Sequence, residues 1–266
     1  MCCGFAVALV LLSCDKIAED ERLIYVKPAD VGRKVLIEDF TGQRCIHCPR
    51  GTLVIDQLAE LYGDNIVAVG IHSGPLGFKG NATTLGLATD LGDNYYAYWK
   101  VESQPSGVIN RTGGATEYTN WTSRVTAALE QTATLDIDLK ATYDALSDNI
   151  NISVETLGTS GATTGHLQLW VTEDSITAMQ LRFNEIDNPQ SGNYTDRDYV
   201  HNHVFRAAVN GDWGEPYSTD EGQSQTFSYT LKPQTDWVVG NLSIVAFVYN
   251  DQGVAQVEKT KVTKTE

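Results

Sequence analysis

The spacing of apolar residues changes character along the chain, and each change predicts an element. Residues 34–40, Lys-Val-Leu-Ile-Glu-Asp-Phe, are a short apolar and β-branched run of the kind a buried parallel strand requires. From Gly51 the apolar positions Leu53, Ile55, Leu58, Leu61 and Tyr62 recur at helical spacing, and residues 65–72 supply a second buried strand. Together they predict a β-α-β unit with a right-handed crossover. Gly74, Gly77, Gly80, Gly86 and Gly92 mark an insertion over 73–92, read as a loop with at most one short helix and placed so that it could cap what precedes it. The cluster Tyr95-Tyr96-Ala97-Tyr98-Trp99 is expected on a further helix, mainly as core, with a binding face as the lesser alternative.

From Thr134 the period shortens to two. Runs at 135–141, 150–156, 166–171, 200–209, 226–231, 242–250 and 254–262 are separated by Gly, Asn, Asp and Ser. About seven strands with turn signals between them read as an immunoglobulin-like or fibronectin-like sandwich. Asn250-Asp251-Gln252-Gly253 looks like the turn of a final hairpin. No Cys falls in this region, so its core is expected to rest on packing alone.

The longest apolar run, residues 5–12, has 8 residues. That is too short to cross the ~30 Å hydrocarbon core of a bilayer but has the length of a signal-peptide apolar region. Leu11-Leu12-Ser13-Cys14 follows and resembles the bacterial lipobox, in which the Cys receives diacylglycerol and becomes the mature N-terminus. An ordinary signal peptide with an incidental Cys is the plain alternative. Met1-Cys2-Cys3-Gly4 departs from the pattern by carrying no Lys or Arg. Residues 15–21, Asp-Lys-Ile-Ala-Glu-Asp-Glu, are similar to the acidic signals that send Bacteroidetes lipoproteins to the outer surface, and they also suit a solvated tether. Lipid on Cys14 would anchor the chain without spanning the membrane.

Charge narrows the partners. The 266 residues hold 19 basic and 34 acidic side chains, a net charge of −15, with no basic run to neutralise phosphates. Nucleic acid is excluded as a partner. The length leaves room for two domains.

Of the five cysteines, Cys2, Cys3 and Cys14 lie in the leader or at the lipidation site, which leaves Cys45 and Cys48 for the folded part. A single pair spaced by two residues serves either its own chemistry or one local clip. A zinc site would need two more ligands, and His72, His166, His201 and His203 are scattered, so redox chemistry outweighs zinc and no metal or cofactor is assigned. A Cys45 thiolate at the start of the following helix would meet unpaired N–H groups and the positive end of the helix dipole, with Arg44 adding charge. Its pKa should fall, which makes a pair oxidising. Cys45 would attack and Cys48 resolve. The alternative is a permanent clip at the helix start.

Strand, turn, Cys45-Ile46-His47-Cys48-Pro49 and helix resemble the thioredoxin superfamily over about residues 31–131. The resemblance implies an α/β thioredoxin-like domain and a thiolate stabilised by His47. It also implies that Pro105, within residues 101–110 and directly before a strand, is a cis-proline packed on the disulfide. Gln43-Arg44 stand where that family carries an aromatic residue, so the substrate face differs.

The remaining chemistry is weaker. His201 and His203 would share one face of a strand, and a packed or surface pair is favoured over a metal site. Glu185, Asp187, Asp196 and Asp198 offer oxygen for Ca²⁺ without the EF-hand order, and read as an acidic loop. No Gly-X-Ser-X-Gly, phosphate-binding glycine loop or His-Glu-X-X-His is present, so hydrolase, nucleotide and zinc-protease readings lack support.

Phe40-Thr41-Gly42-X-X-Cys45-X-X-Cys48-Pro49, His72, Pro105 ahead of Asn110-Arg111, and His201-Asn202-His203-Val204-Phe205-Arg206 together resemble the Omp28-related outer-membrane lipoproteins of Bacteroidetes. The resemblance implies an outer-membrane lipoprotein, facing the surface or the periplasm, from a family first described as adhesin-like. The expected organisation is a signal peptide over 1–13, a lipidated N-terminus and linker over 14–30, a thioredoxin-like domain over 31–131 with its insertion at 73–92, and a β-sandwich domain over 132–266. The expected function is thiol-disulfide exchange with a protein thiol or disulfide partner, through Cys45, Cys48, His47 and Pro105. The alternative is a non-enzymatic surface module for adhesion or assembly, which docks a surface-protein partner and keeps the Cys pair as a structural disulfide. Binding of a surface polymer by the aromatic cluster and insertion is a third reading. In each, the membrane is touched only through the lipid on Cys14.

Overall fold

The computed structural model describes residues 32–183 and 192–265. β1 (Val35–Thr41) and β2 (Ile66–His72) pair in parallel across α1 (Cys48–Tyr62). β3 (Ser106–Ile109) lies antiparallel on the other side of β1, and β4 (Thr112–Glu117) follows it. Successive side chains on a strand face opposite ways. Val35, Ile37 and Asp39 of β1 therefore share the face covered by α1 and α3 (Trp121–Leu129), while Leu36, Glu38 and Phe40 share the other. The second face is covered partly by α2 (Asp90–Tyr98), whose fully buried Tyr95 packs there. Thr89 caps α2, its hydroxyl accepting the Gly92 N–H at 2.9 Å.

Beyond α3 the described chain is mainly strand, with one short 3-10 turn at Val239–Asn241. β5 (Leu135–Asp144) and β6 (Asn149–Gly158) form a hairpin, followed by the long β7 (Thr163–Glu173). Short strands come next: β8 (Ile176–Thr177), β9 (Gln180–Phe183), β10 (Asn193–Asp196), β11 (Val200–His201), β12 (Val204–Ala208) and β13 (Glu215–Thr219). β14 (Ser224–Leu231), β15 (Leu242–Asn250), β16 (Gly253–Lys261) and β17 (Thr263–Lys264) complete the chain. A four-stranded sheet, β14-β6-β5-β17, packs over β7 and β15.

This arrangement corrects the expected fold class. The chain is not an α/β thioredoxin-like domain followed by a separate immunoglobulin-like or fibronectin-like sandwich. It is mainly β, and β1–β4 are one end of a nine-stranded sheet, ordered β16-β15-β7-β12-β2-β1-β3-β4 with β13 beside β7. The two halves join where β12 meets β2, the Gly70 N–H donating to the His203 carbonyl at 2.8 Å. The physical reason lies in β15, which is buried from Leu242 to Val248 on both faces. Leu242, Ile244, Ala246 and Val248 meet the β5–β6 hairpin, whereas Val245 and Phe247 share a second core with Leu36, Phe40 and Val69. A strand apolar on both faces needs cover on both. The second half supplies one cover, and the first half supplies the other.

Candidate functional site: a buried disulfide beside a polar cavity

The turn after β1 carries the site. Gly42 is obligatory there, because a Cβ would fall 2.3 Å from the Leu76 carbonyl oxygen. The Cys45 N–H closes the turn onto the Gly42 carbonyl at 3.0 Å, and α1 begins at Cys48 with Pro49 in its first turn and no side-chain cap. Cys45 and Cys48 form a disulfide with their Cα atoms 5.4 Å apart. Both residues are buried, at 2% and 1% exposure. The Cys45 sulfur lies 3.5 Å from the Gln104 carbonyl oxygen, and the Gln104–Pro105 peptide is cis. The Gln104 amide donates to the carbonyls of Thr41 at 2.7 Å and Ser73 at 3.0 Å, fixing this loop across the strand ends. His47 is exposed immediately before α1, its ring 6.4 Å from that of Phe183. The structure thus gathers Cys45, Cys48, His47 and Pro105. Cys14 lies outside the described residues.

Cover comes from the second half. The Gln180 amide of β9 donates to the carbonyls of Cys45 at 2.8 Å and Gly42 at 3.2 Å, and the Leu181 N–H donates to the Gln43 carbonyl at 2.8 Å. Gln43, expected to alter the substrate face, is instead a fully buried peg. Its amide donates to Leu85 and Met179, and its oxygen accepts the Leu87 N–H. The glycine-rich insertion therefore braces the turn, while β9 lies across the Cys45 backbone.

A polar cavity of about 20 Å³ sits on the α1 face of β1 and β2, at their C-terminal ends. That is room for about one water molecule. Cys48, Thr52, Asp39, His72, His201 and His203 line it. Burial pushes the Asp39 carboxyl up to about 8, and its Oδ1 has no hydrogen-bond partner. Burial holds His72 well below the ordinary imidazole range, with His201 and His203 adding to the effect, and it brings His201 and His203 down to about 4. At neutral pH the cavity therefore holds a protonated carboxyl and uncharged imidazoles. The rings of His72 and His201 are 5.1 Å apart, edge to face.

The two histidines expected on one strand face are arranged differently, since His201 ends β11 and His203 lies beyond it at φ +46°. Among the described residues, no three His, Cys, Asp or Glu side chains are placed to hold a metal. Glu185 and Asp187 of the acidic loop fall outside the described residues, and Asp196 accepts from Arg182 at 3.1 Å. The sequence reading missed Asp39. The signal was available: every residue of β1 is buried, so an Asp within it has to be buried whichever face it takes.

The family model of the outer membrane protein Omp28 matches residues 92–266. The chain belongs to the Omp28 family. Membership places this Omp28-family protein at the outer membrane. The match begins within α2 and leaves Cys45 and Cys48 outside it, so family membership carries no information about the disulfide. Among solved structures, HBP35 of Porphyromonas gingivalis is similar at a TM-score of 0.65 and 15% identity, over 90% of this chain and 80% of that one, which shows a shared fold. A domain of the outer membrane lipoprotein Omp28 from Porphyromonas gingivalis is 26% identical over 50% of this chain and 92% of its own, with a TM-score of 0.33. No curated protein matches the chain. No helix among the described residues is long and apolar enough to cross a membrane.

Proposed function

We propose that this Omp28-family protein is exported, anchored by lipid on Cys14, and exchanges disulfides with a protein partner through Cys45 and Cys48. The observation that carries this reading is Asp39, a carboxyl group buried beside the disulfide with an unpartnered oxygen and a pKa near 8. A static clip gains nothing from such a group, whose burial costs free energy. A departing thiolate, by contrast, needs a proton source that titrates near neutral pH.

A thiolate of the partner attacks the Cys45 sulfur, and the S–S electron pair passes to Cys48. The Cys48 sulfur then takes the Asp39 proton across the cavity, leaving a mixed disulfide on Cys45. In the reverse direction the Asp39 carboxylate accepts the Cys48 proton, and the Cys48 thiolate displaces the partner. His47, exposed between the cysteines, and Pro105, behind the Gln104 carbonyl that touches Cys45, orient the incoming sulfur in this reading.

One observation favours the rival, a static clip in an adhesion or assembly module: the two cysteines are only 2% and 1% exposed. The deciding measurement uses the chain with Cys2, Cys3 and Cys14 changed to Ser. Exchange predicts a reduction potential above about −230 mV and a turnover that drops by about 100-fold in Asp39→Asn. A potential below about −300 mV, with Asp39→Asn indistinguishable from wild type, establishes the clip.

A further inference from the structure

We infer that a second site, on the face of β1 opposite the disulfide, binds carbohydrate. It does not depend on the exchange reading. The site is a cleft of about 490 Å³ between the end of α2 and the β15–β16 hairpin, a size within the ~300–1,000 Å³ of small-molecule sites. Its walls are aromatic. The ring of Tyr98 lies 4.4 Å from that of Trp213, tilted by 51°, and 5.1 Å from that of Trp99 at 85°. Tyr98 is 60% exposed, so its ring is presented to a ligand rather than used up in packing. Tyr249 and the stacked ring of His166 continue the wall, and Asp251 stands at the rim.

Arg111 forms part of the floor. It occupies the two-residue turn Asn110-Arg111 between β3 and β4 at φ +53°, and its side chain is 2% exposed. Its Nε donates to Glu38 at 2.8 Å, and its guanidinium lies 4.0 Å from the Tyr249 ring centre and 5.7 Å from that of Trp213. Neither Nη1 nor Nη2 is hydrogen-bonded. Both nitrogens are covered by protein, with the rings of Trp170 and Phe247 closing over the guanidinium as well, so Arg111 supports the aromatic wall from beneath rather than meeting a ligand.

These features select a ligand class. Glu38 already balances the Arg111 charge, and the chain carries −15 overall, so a strongly anionic ligand is disfavoured and an uncharged one is preferred. None of the lining side chains is aliphatic, which argues against an apolar helix as occupant. A pyranose ring meets both demands. Its C–H faces stack on Tyr98 and Trp213, and its hydroxyl groups reach His166, Asn250 and Asp251 at the rim.

The test applies the full chain to a printed array of microbial and host oligosaccharides and titrates any hit by tryptophan fluorescence. We expect at least one oligosaccharide to bind and quench the emission. Tyr98→Ala and Trp213→Ala should each weaken binding at least tenfold, while a chain with Cys45 and Cys48 both changed to Ser binds as wild type. Tyr98 is largely exposed, so its loss reports on the cleft rather than on folding. A blank array, or binding that survives both substitutions, overturns the proposal. A blank array together with peptides captured from a displayed library and lost in Tyr98→Ala overturns it in favour of a protein-binding cleft.

Discussion

The sandwich core between the β5–β6 hairpin and β7–β15 is closed by apolar groups such as Leu135, Ile152, Leu169 and Ile244. β1 is just as buried along its whole length, yet it carries Glu38 and Asp39 side by side. Alternation along the strand sends them to opposite faces. Glu38 meets Arg111 at 2.8 Å, and burial nevertheless raises its pKa against that pairing. Both carboxyls leave one oxygen without a hydrogen-bond partner, Oε2 of Glu38 and Oδ1 of Asp39, but Glu38 has Arg111 beside it whereas Asp39 faces the cavity that Cys48 lines. One buried carboxyl is thus built into the packing and its neighbour is left open to a cavity beside a disulfide. Packing accounts for the first. It gives no account of the second, and this asymmetry is why the disulfide end reads as a site while the sandwich reads as a scaffold.

The largest expected effect breaks the paired side of that comparison. Arg111→Ala leaves Glu38 buried without compensation and should cost about 3–5 kcal/mol in urea unfolding. Ile244→Ala in the sandwich should cost about 2–5 kcal/mol through its cavity. The two differ in rescue: changing Glu38 to Met in the Arg111→Leu background should recover most of the loss, since apolar replacement of a buried ion pair is often neutral. A loss below about 1 kcal/mol in Arg111→Ala would show that the pair is not structural.

Much of this contrast was legible from residues alone. The seven alternating runs fall on observed strands, and β5 shows why: Leu135, Ile137, Leu139 and Ala141 are buried while Asp136, Asp138 and Lys140 between them are exposed. The turn and helix carrying Cys45 and Cys48 were also legible, as was the cis bond at Pro105. Within α1 the period held but not every position, for Ile55 and Leu58 are buried whereas Leu53 and Leu61 are 60% and 69% exposed. What escaped was non-local. Residues 242–248 are apolar at every position but Ser243 and buried throughout, the mark of a strand covered on both faces, and that run is why the halves merge into one sheet. Likewise, no local pattern predicts that β9 crosses Cys45 or that His72 meets His201, since these contacts join residues more than a hundred positions apart.

The unpaired side should show itself as a function of pH. The folded Asp39 pKa of about 8 lies above its ordinary 3.8, so its contribution is fully present below 3.8 and is lost progressively as pH rises to about 8. His201 and His203, at about 4 against an ordinary 6.5, contribute in the opposite sense: stability is present above 6.5 and is lost as pH falls through about 4. The stability curve should therefore peak between about pH 6 and 7. Asp39→Asn should remove the alkaline decline, about 2 kcal/mol between pH 6.5 and 8, and steepen the acid limb, because the carboxyl opposes the histidines from pH 3.8 upward. An alkaline limb that persists in this variant would mean that the carboxyl is relieved by neighbours after all.

The smallest expected effect on stability has a clear kinetic readout. Gln180 and Gln168 are both buried amides, but Gln180 donates to the Cys45 carbonyl across the disulfide, whereas Gln168 donates to the Gly211 carbonyl at 2.9 Å in the β-rich half. Losing either costs about 1 kcal/mol of hydrogen bonding. If β9 governs access to the sulfurs, only Gln180→Ala also lowers the free energy of local opening, and reduction of the disulfide by dithiothreitol should accelerate about tenfold, equivalent to ~1.4 kcal/mol. Gln168→Ala should leave that rate at the wild-type value. Equal rates in the two variants would mean that β9 is ordinary packing, and access to the disulfide would then be set by the Gln104–Pro105 loop on the other side of Cys45.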